Sequence, residues 1–271
     1  MSSNQRMDAV TPEARAEILQ RLQEAEREHD VKVLMAVESG SRAWGFASPN
    51  SDYDGRFIYI HRPEWYLSVG LEEQRDVIEY PIVDDMDVNG WDVRKALRLF
   101  WKSNPAFVEW LYSPIMYRCD DWFVDQVRGL VPQVYSIQSG FYHYRSTAKS
   151  NFRGYLQTDL VPLKKYFYVL RPLLAVKWLE RFERVAPIEF EKLLVVVQEN
   201  VELMAAIYQL LDLKRQSPEM GLAPQVPVIH AFIEAELSRL AHIAPDRFER
   251  PANVEFLLSR LFRETLKRAW A

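Results

Sequence analysis

The sequence predicts an α+β domain, a small mixed β-sheet with flanking helices, followed by an all-α helical domain. Three observations predict it. Short apolar and β-branched runs bounded by turn residues are confined to the first ninety residues, behind one amphipathic helix. From Trp91 onward helix formers dominate, punctuated near Pro105, Pro114, Pro132, Gly140, Pro162, Pro187, Pro218 and Pro251. Finally, 271 residues, 48% hydrophobic and 27% charged, suffice for two modest cores. Strands followed by a run of helices describe an α+β part and an all-α part. The division is expected near residues 115–135, giving an α+β domain at 1–125 and a helical domain at 126–271.

Taken in order, the first ten residues, ending Met7-Asp8-Ala9-Val10, read as a frayed start. They hold no long apolar run, so neither a secretory signal nor a membrane span is expected. Thr11 before Pro12 has the pattern of an N-cap with proline in the first turn. Ala14, Ile18, Leu22 and Ala25 then fall on one stripe of a helix reaching His29. Residues 31–37 suit a buried strand, and Asn50-Ser51 is a turn signal before a second strand at 53–60. Residues 76–80 and 83–88 read as two further strands closed by Gly90. A helix over 91–102 follows, with Val93, Ala96, Leu97 and Phe100 inward. The single cysteine, Cys119, excludes an intrachain disulfide and a cysteine-rich metal site, and reads as a small hydrophobe. A cytoplasmic protein with no membrane partner is expected.

The net charge of -4 argues against a protein that coats nucleic acid by charge alone. Between Tyr142 and Arg184, however, nine Lys/Arg face three acids. Such a patch suits a phosphate-bearing substrate, or simply an exposed helix face.

The chemistry concentrates in residues 38–56. Asp52 and Asp54, two apart at a strand start, project their carboxylates from one face. Two such anions repel unless a cation lies between them, and magnesium takes oxygen ligands of this kind together with substrate phosphates. Gly40-Ser41 follows the first strand and opens a short helix, where free N–H groups and a hydroxyl suit a polyphosphate. Arg56 would share the face of Asp54 and offset its charge. Alternatively, Asp52 and Asp54 only solvate a turn. The five histidines are scattered, with no pair at metal-ligand spacing on one helix face.

Gly40-Ser41, ten residues, then Asp52-Tyr53-Asp54 resembles the signature of the polymerase-β nucleotidyltransferase superfamily. Within it, GSRAWG…NSDYDGR followed by WDVRKALRLFWKSNPAFVEWLY is similar to the predicted nucleotidyltransferases called the RNA repair pathway polymerase-β family, from about Val33 to about Lys177. The resemblance implies metal binding by Asp52, Asp54 and a third carboxylate on a later strand in an apolar-acid-apolar setting. Met86-Asp87-Val88 fits, with Asp85 as the competitor. Gly40 and Ser41 would hold the triphosphate, with Arg42 assisting, and Mg2+ (or Mn2+) would be the cofactor.

In the helical part, Lys164, Tyr168 and Arg171 lie at i, i+4 and i+7, on one face, where they could stack a base and hold phosphates. Arg145, Lys149 and Arg153 form a similar line. Pro172 suggests a kink within a continuing helix. The reading is an enzyme that moves a nucleoside monophosphate from a nucleoside triphosphate such as ATP to a hydroxyl acceptor: an RNA end, a small molecule or a protein. The rival reading is a non-catalytic nucleotide-binding sensor or toxin-neutralising partner that keeps the fold.

Overall fold

The computed structural model describes residues 10–216, 221–246, 249 and 251–271. The expected ragged start at Met7-Asp8-Ala9 and the break at Pro218 lie outside the described residues. The chain divides into two compact units. One comprises the described residues within Met1–Ala43, Asp52–Tyr135 and Arg250–Ala271, and the other those within Trp44–Ser51 and Ser136–Glu249.

The first unit is built on a five-stranded sheet. Helix α1, Pro12–His29, starts at Thr11, whose hydroxyl accepts from the Ala14 N–H at 3.2 Å. Its face of Ala14, Ile18, Leu22 and Ala25 is buried against the sheet. Strand β1, Val31–Glu38, is buried at every position but Lys32, as befits a central strand. The short α2, Gly40–Trp44, leads toward β2, Tyr53–His61, antiparallel to β1. Helix α3, Pro63–Tyr66, and β3, Val77–Glu79, precede β4, Met86–Asp92. The β4 strand runs parallel to β2, pairing Tyr53 with Met86 and Asp54 with Asp87. Strand order is β3-β4-β2-β1-β5.

Gly90 does not end β4 as expected; it is needed inside it. It pairs with Phe57, and a Cβ there would stand 2.3 Å from that ring. Asp92 closes the strand and caps α4, Val93–Trp101, by accepting from the Arg94 N–H at 2.8 Å. After α5, Pro105–Leu111, comes a strand the sequence did not announce: β5, Met116–Cys119, is four residues long and pairs with β1. Cys119 ends it exposed rather than packed as a small hydrophobe. Helix α6, Asp121–Val134, holds Pro132 within it.

The helical unit opens with α7, Ile137–Tyr155, and a short strand, β6, Leu160–Pro162. Its central helix, α8, Lys164–Phe182, is buried almost all round and continues through Pro172. The helices α9, Phe190–Leu193, and α10, Val201–Gln216, follow, then β7, Leu222–Pro224, and α11, Pro227–Leu240. The β6–β7 ladder, Leu160 to Pro162 against Leu222 to Pro224, is a small departure from an all-α domain. Residues 44–51 contribute Phe46, fully buried, stacked on Phe167 at 5.0 Å and edge-on to Phe190 at 5.7 Å.

The last helix, α12, Val254–Ala269, returns to the first unit and packs on α4 and α6. The division therefore falls elsewhere than at 125/126: that point lies inside α6, and residues 44–51 and 250–271 each group with the unit distant in sequence. Among the described residues no helix is long and apolar enough to cross a membrane.

Candidate active site

The parallel pairing of β2 and β4 puts Asp54 and Asp87 side by side on neighbouring strands. Residues in register share a face, so both carboxylates emerge together. Arg56, two residues beyond Asp54, joins them. Its Nη2 donates to Asp54 Oδ1 at 2.9 Å and to Asp87 Oδ2 at 2.6 Å, while Nη1 donates to the Asp87 carbonyl at 2.7 Å. These side chains are largely shielded from solvent. The Asn89 amide Nδ2 donates to Asp87 Oδ1, and its buried Oδ1 has no partner among the described residues.

Behind this group lies a residue whose part the sequence did not reveal. Glu38, at the end of β1, is fully buried. Its Oε1 accepts the Asp54 N–H at 2.9 Å, and its Oε2 accepts the Tyr117 hydroxyl. Burial pushes its carboxyl up to about 7, against the pull of the Tyr117 and Asp54 hydrogen bonds. The only hint in the sequence is an acid ending an apolar run just before Gly-Ser. Burial also raises Asp54; the Arg56 guanidinium opposes this, while Asp87 and Asp52 reinforce it.

Gly40 sits against the same carboxylate. Its φ is +60°, and a Cβ there would lie 2.0 Å from Asp54 Oδ2. The Ser39 N–H donates to the Asp54 carbonyl at 2.9 Å. Ser41 and Arg42 occupy the first turn of α2. Arg42 donates Nε to the Asp52 carbonyl at 3.2 Å and lies 3.8 Å over the Tyr53 ring. So Gly40 and Arg42 do gather around the Asp52–Asp54 segment.

Among the described residues no three His, Cys, Asp or Glu are grouped to hold a metal ion. Asp52 stands one residue before β2 with its side chain exposed, and Arg56 binds Asp54 and Asp87. Asp85, the competitor for the third carboxylate, is exposed in a turn at φ +59°, so Asp87 alone stands beside Asp54.

The donor set still fits magnesium. Two carboxylates are held together by one cation, a buried oxygen of Asn89 has no partner among the described residues, and Gly40 leaves space that a Cβ would fill.

In the helical unit, the face of Lys164, Tyr168 and Arg171 is not an open basic surface. Arg171 is 6% exposed, donates Nε to the Ile188 carbonyl at 3.1 Å and lies 4.4 Å over Trp44. Tyr168 meets Trp44 edge-on at 5.9 Å, and Lys164 is exposed. Helical spacing identified the shared face but not that residues 44–51 cover part of it.

The chain resembles known proteins. The chain matches the RNA repair pathway DNA polymerase beta family over residues 14–264. It is 43% identical over 253 residues to the uncharacterized protein YcgL of Bacillus subtilis (strain 168), covering 93% of this chain and 96% of that one. A crystal structure of a nucleotidyltransferase-like protein from Exiguobacterium sibiricum 255-15 matches over 93% of this chain and 91% of its own, at 11% identity and a TM-score of 0.30, a likeness too slight to argue from. The family match supports a nucleotidyltransferase role and implies a nucleotide substrate. Spanning nearly all of the described sheet and helices, it shows that the chain belongs to the RNA repair pathway DNA polymerase beta family.

Proposed function

We propose that the protein transfers a nucleoside monophosphate from a nucleoside triphosphate to a hydroxyl acceptor, an RNA end being the acceptor class that suits its family. The acceptor oxygen bonds the α-phosphorus, the bond from that phosphorus to its bridging oxygen breaks, and pyrophosphate leaves. The single observation that carries this reading is the Asp54–Arg56–Asp87 group on two parallel strands, with Gly40 pressed against Asp54. A pair of carboxylates beside an open helix start is what metal-assisted transfer of this group requires.

Each residue has a distinct part. Asp87 receives the acceptor's proton. Glu38, through the Asp54 N–H, and Arg56, through both carboxylates, fix where those oxygens point. The Gly40 and Ser41 backbone and the Ser41 hydroxyl take the triphosphate, with Arg42 beside them. Lys164 and Tyr168 of the helical unit contact substrate, and Arg171 supports them from within. Magnesium, or manganese, would be held by Asp54 and Asp87, with Asp52 turning in from its exposed position, and would neutralise charge on the phosphates. The setting is the cytoplasm, where nucleoside triphosphates are abundant.

The test is incubation with each labelled nucleoside triphosphate, magnesium and pools of RNAs or small hydroxyl compounds. Labelled acceptor and pyrophosphate should appear together, and Asp54→Asn should abolish both. Nucleotide binding with no transfer to any acceptor would return the protein to a binding-only role.

A further inference from the structure

Arg56 claims the oxygens that a metal ion shared by Asp54 and Asp87 would use. Its Nη2 donates to Asp54 Oδ1 at 2.9 Å and to Asp87 Oδ2 at 2.6 Å, and the Asn89 amide donates to Asp87 Oδ1. Both oxygens of Asp87 are thus engaged, whereas Asp54 Oδ2, beside Gly40, accepts from none of the described residues. A cation bridging the two carboxylates needs an oxygen from each. On Asp87 it meets a donor whichever oxygen it takes.

The two donors are unequal obstacles. Asn89 brings only an amide dipole, and a carboxylate oxygen has a second lone pair beside it. Arg56 brings a full positive charge. Its side chain is 17% exposed, against 28% for Asp54 and 20% for Asp87, so water screens it poorly from a second cation on the same oxygens. With the guanidinium in place the group presents one net negative charge; the carboxylates alone present two. The affinity of an oxygen site for a divalent cation follows the charge of its ligands.

Arg56 is also held in a way that suits exchange. Its Nη1 donates to the backbone carbonyls of Asp87 at 2.7 Å and Gly55 at 3.2 Å. One nitrogen is fixed by the strands and the other by the carboxylates. The second set of bonds can be given up while the first keeps the guanidinium beside the site.

We propose that Arg56 and a divalent metal ion are alternative partners of the Asp54–Asp87 pair: the metal enters by taking the carboxylates from Arg56 Nη2, so that Arg56 sets how much free metal the site needs. One cation replaces another, with no proton moved and no covalent bond broken. The displacement rests on the proposed metal-holding role of Asp54 and Asp87, and on no particular nucleotide or acceptor.

The experiment titrates the protein, with no nucleotide added, with Mn2+ followed by electron paramagnetic resonance of the free ion and with Mg2+ followed by calorimetry. Arg56→Met removes the charge, and should bind both ions about tenfold or more tighter than the parent. Its melting temperature should fall without metal, where the carboxylates repel, and rise further than the parent's when metal is added. Arg56→Lys keeps the charge and should bind metal within about threefold of the parent. Arg75→Met, which removes an exposed cation paired with Glu79, should change binding less than about twofold.

Unchanged or weaker metal binding by Arg56→Met overturns the displacement and leaves Arg56 a fixed clamp. Equal tightening by Arg75→Met, or no metal binding by either the parent or Arg56→Met, overturns it too. Should Arg56→Met fail to fold by circular dichroism, the parent decides. Its isotopically labelled Arg56 guanidinium signal, assigned by its loss in Arg56→Lys, should show faster proton exchange with water as magnesium saturates; exchange unaltered by magnesium overturns the displacement. Tightening in Arg56→Met of a protein that transfers no nucleotide would remove the proposed reaction and leave the displacement standing. Transfer by the parent, with no tightening in Arg56→Met, would do the reverse.

Discussion

Replacing Gly40 by alanine separates backbone strain from damage to the acidic group. At φ +60° an alanine costs about 1–2 kcal/mol in the left-handed region. Its Cβ would also stand 2.0 Å from Asp54 Oδ2 and 2.9 Å from Cγ, inside any tolerable contact. Asp54 has only two side-chain torsions and is tied to Arg56 at 2.9 Å, so it cannot yield without loosening that pair. Gly45 provides the control: it too has positive φ, +85°, but a Cβ there meets nothing within 4 Å. Gly45→Ala should therefore lose about 1–2 kcal/mol, roughly 2–4 °C in melting temperature per kcal/mol, and Gly40→Ala at least as much. Only Gly40→Ala should also lose turnover, about a hundredfold, the usual effect of an ångström-scale misplacement of a reacting group. The assay is pyrophosphate release beside urea unfolding for both proteins. Equal activity in the two would refute the claim that Gly40 exists to admit Asp54.

Other outcomes follow from the same contacts. Asp54→Asn and Asp87→Asn should each lower turnover roughly a thousandfold, since metal-borne charge stabilisation is worth several kcal/mol; Asp84→Asn, in an exposed turn, should be silent in the same assay. Because Glu38 holds its proton up to about pH 7 when folded and releases it near 4.5 when unfolded, it makes stability fall as pH rises between those values. Asp92, pushed up to about 6, acts with the same sign over a lower window, and His61, held down to about 4, acts oppositely. Unfolding of Glu38→Gln against the parent across pH 4.5–7 isolates the Glu38 part, and parallel curves would show it has none. Arg171→Ala should destabilise by about 1–3 kcal/mol through the lost Ile188 hydrogen bond and Trp44 contact, whereas Lys164→Ala should stay within about 0.5 kcal/mol. Gly90→Ala should cost about 1–3 kcal/mol by crowding Phe57, read as a lowered denaturation midpoint.

Much of this was legible before any coordinates, because it is local. The Thr11 cap, the stripe of Ala14, Ile18, Leu22 and Ala25, and the apolar run of β1 are set by neighbours within a few residues. Asp54 is marked by its spacing from Asp52 and Gly40-Ser41, and Asp87 by the family resemblance, which implies a third carboxylate in an apolar-acid-apolar setting. What escaped depends on partners far along the chain. Glu38 serves Asp54 only because of the β1–β2 register, and Tyr117 joins through β5, four residues with no pattern of their own. Arg171 looked like a surface cation because helical spacing says which residues share a face but not what lies on it.

The return of α12 has a consequence for the order in which the protein is made. Tyr66 meets Phe262 edge-on at 4.9 Å, the Trp270 indole N–H donates to the His61 carbonyl at 2.8 Å, and Arg268 lies 4.5 Å over Trp122. These partners of early residues emerge from the ribosome only after the whole helical stretch between them. Although its sheet strands are translated first, the acidic unit must wait with part of its apolar surface uncovered while the later unit, contiguous from Ser136 apart from its short loop, has all its segments available. A nascent chain arrested before Val254 should therefore be sensitive to proteases in the α3–β3 region and become resistant once α12 is released.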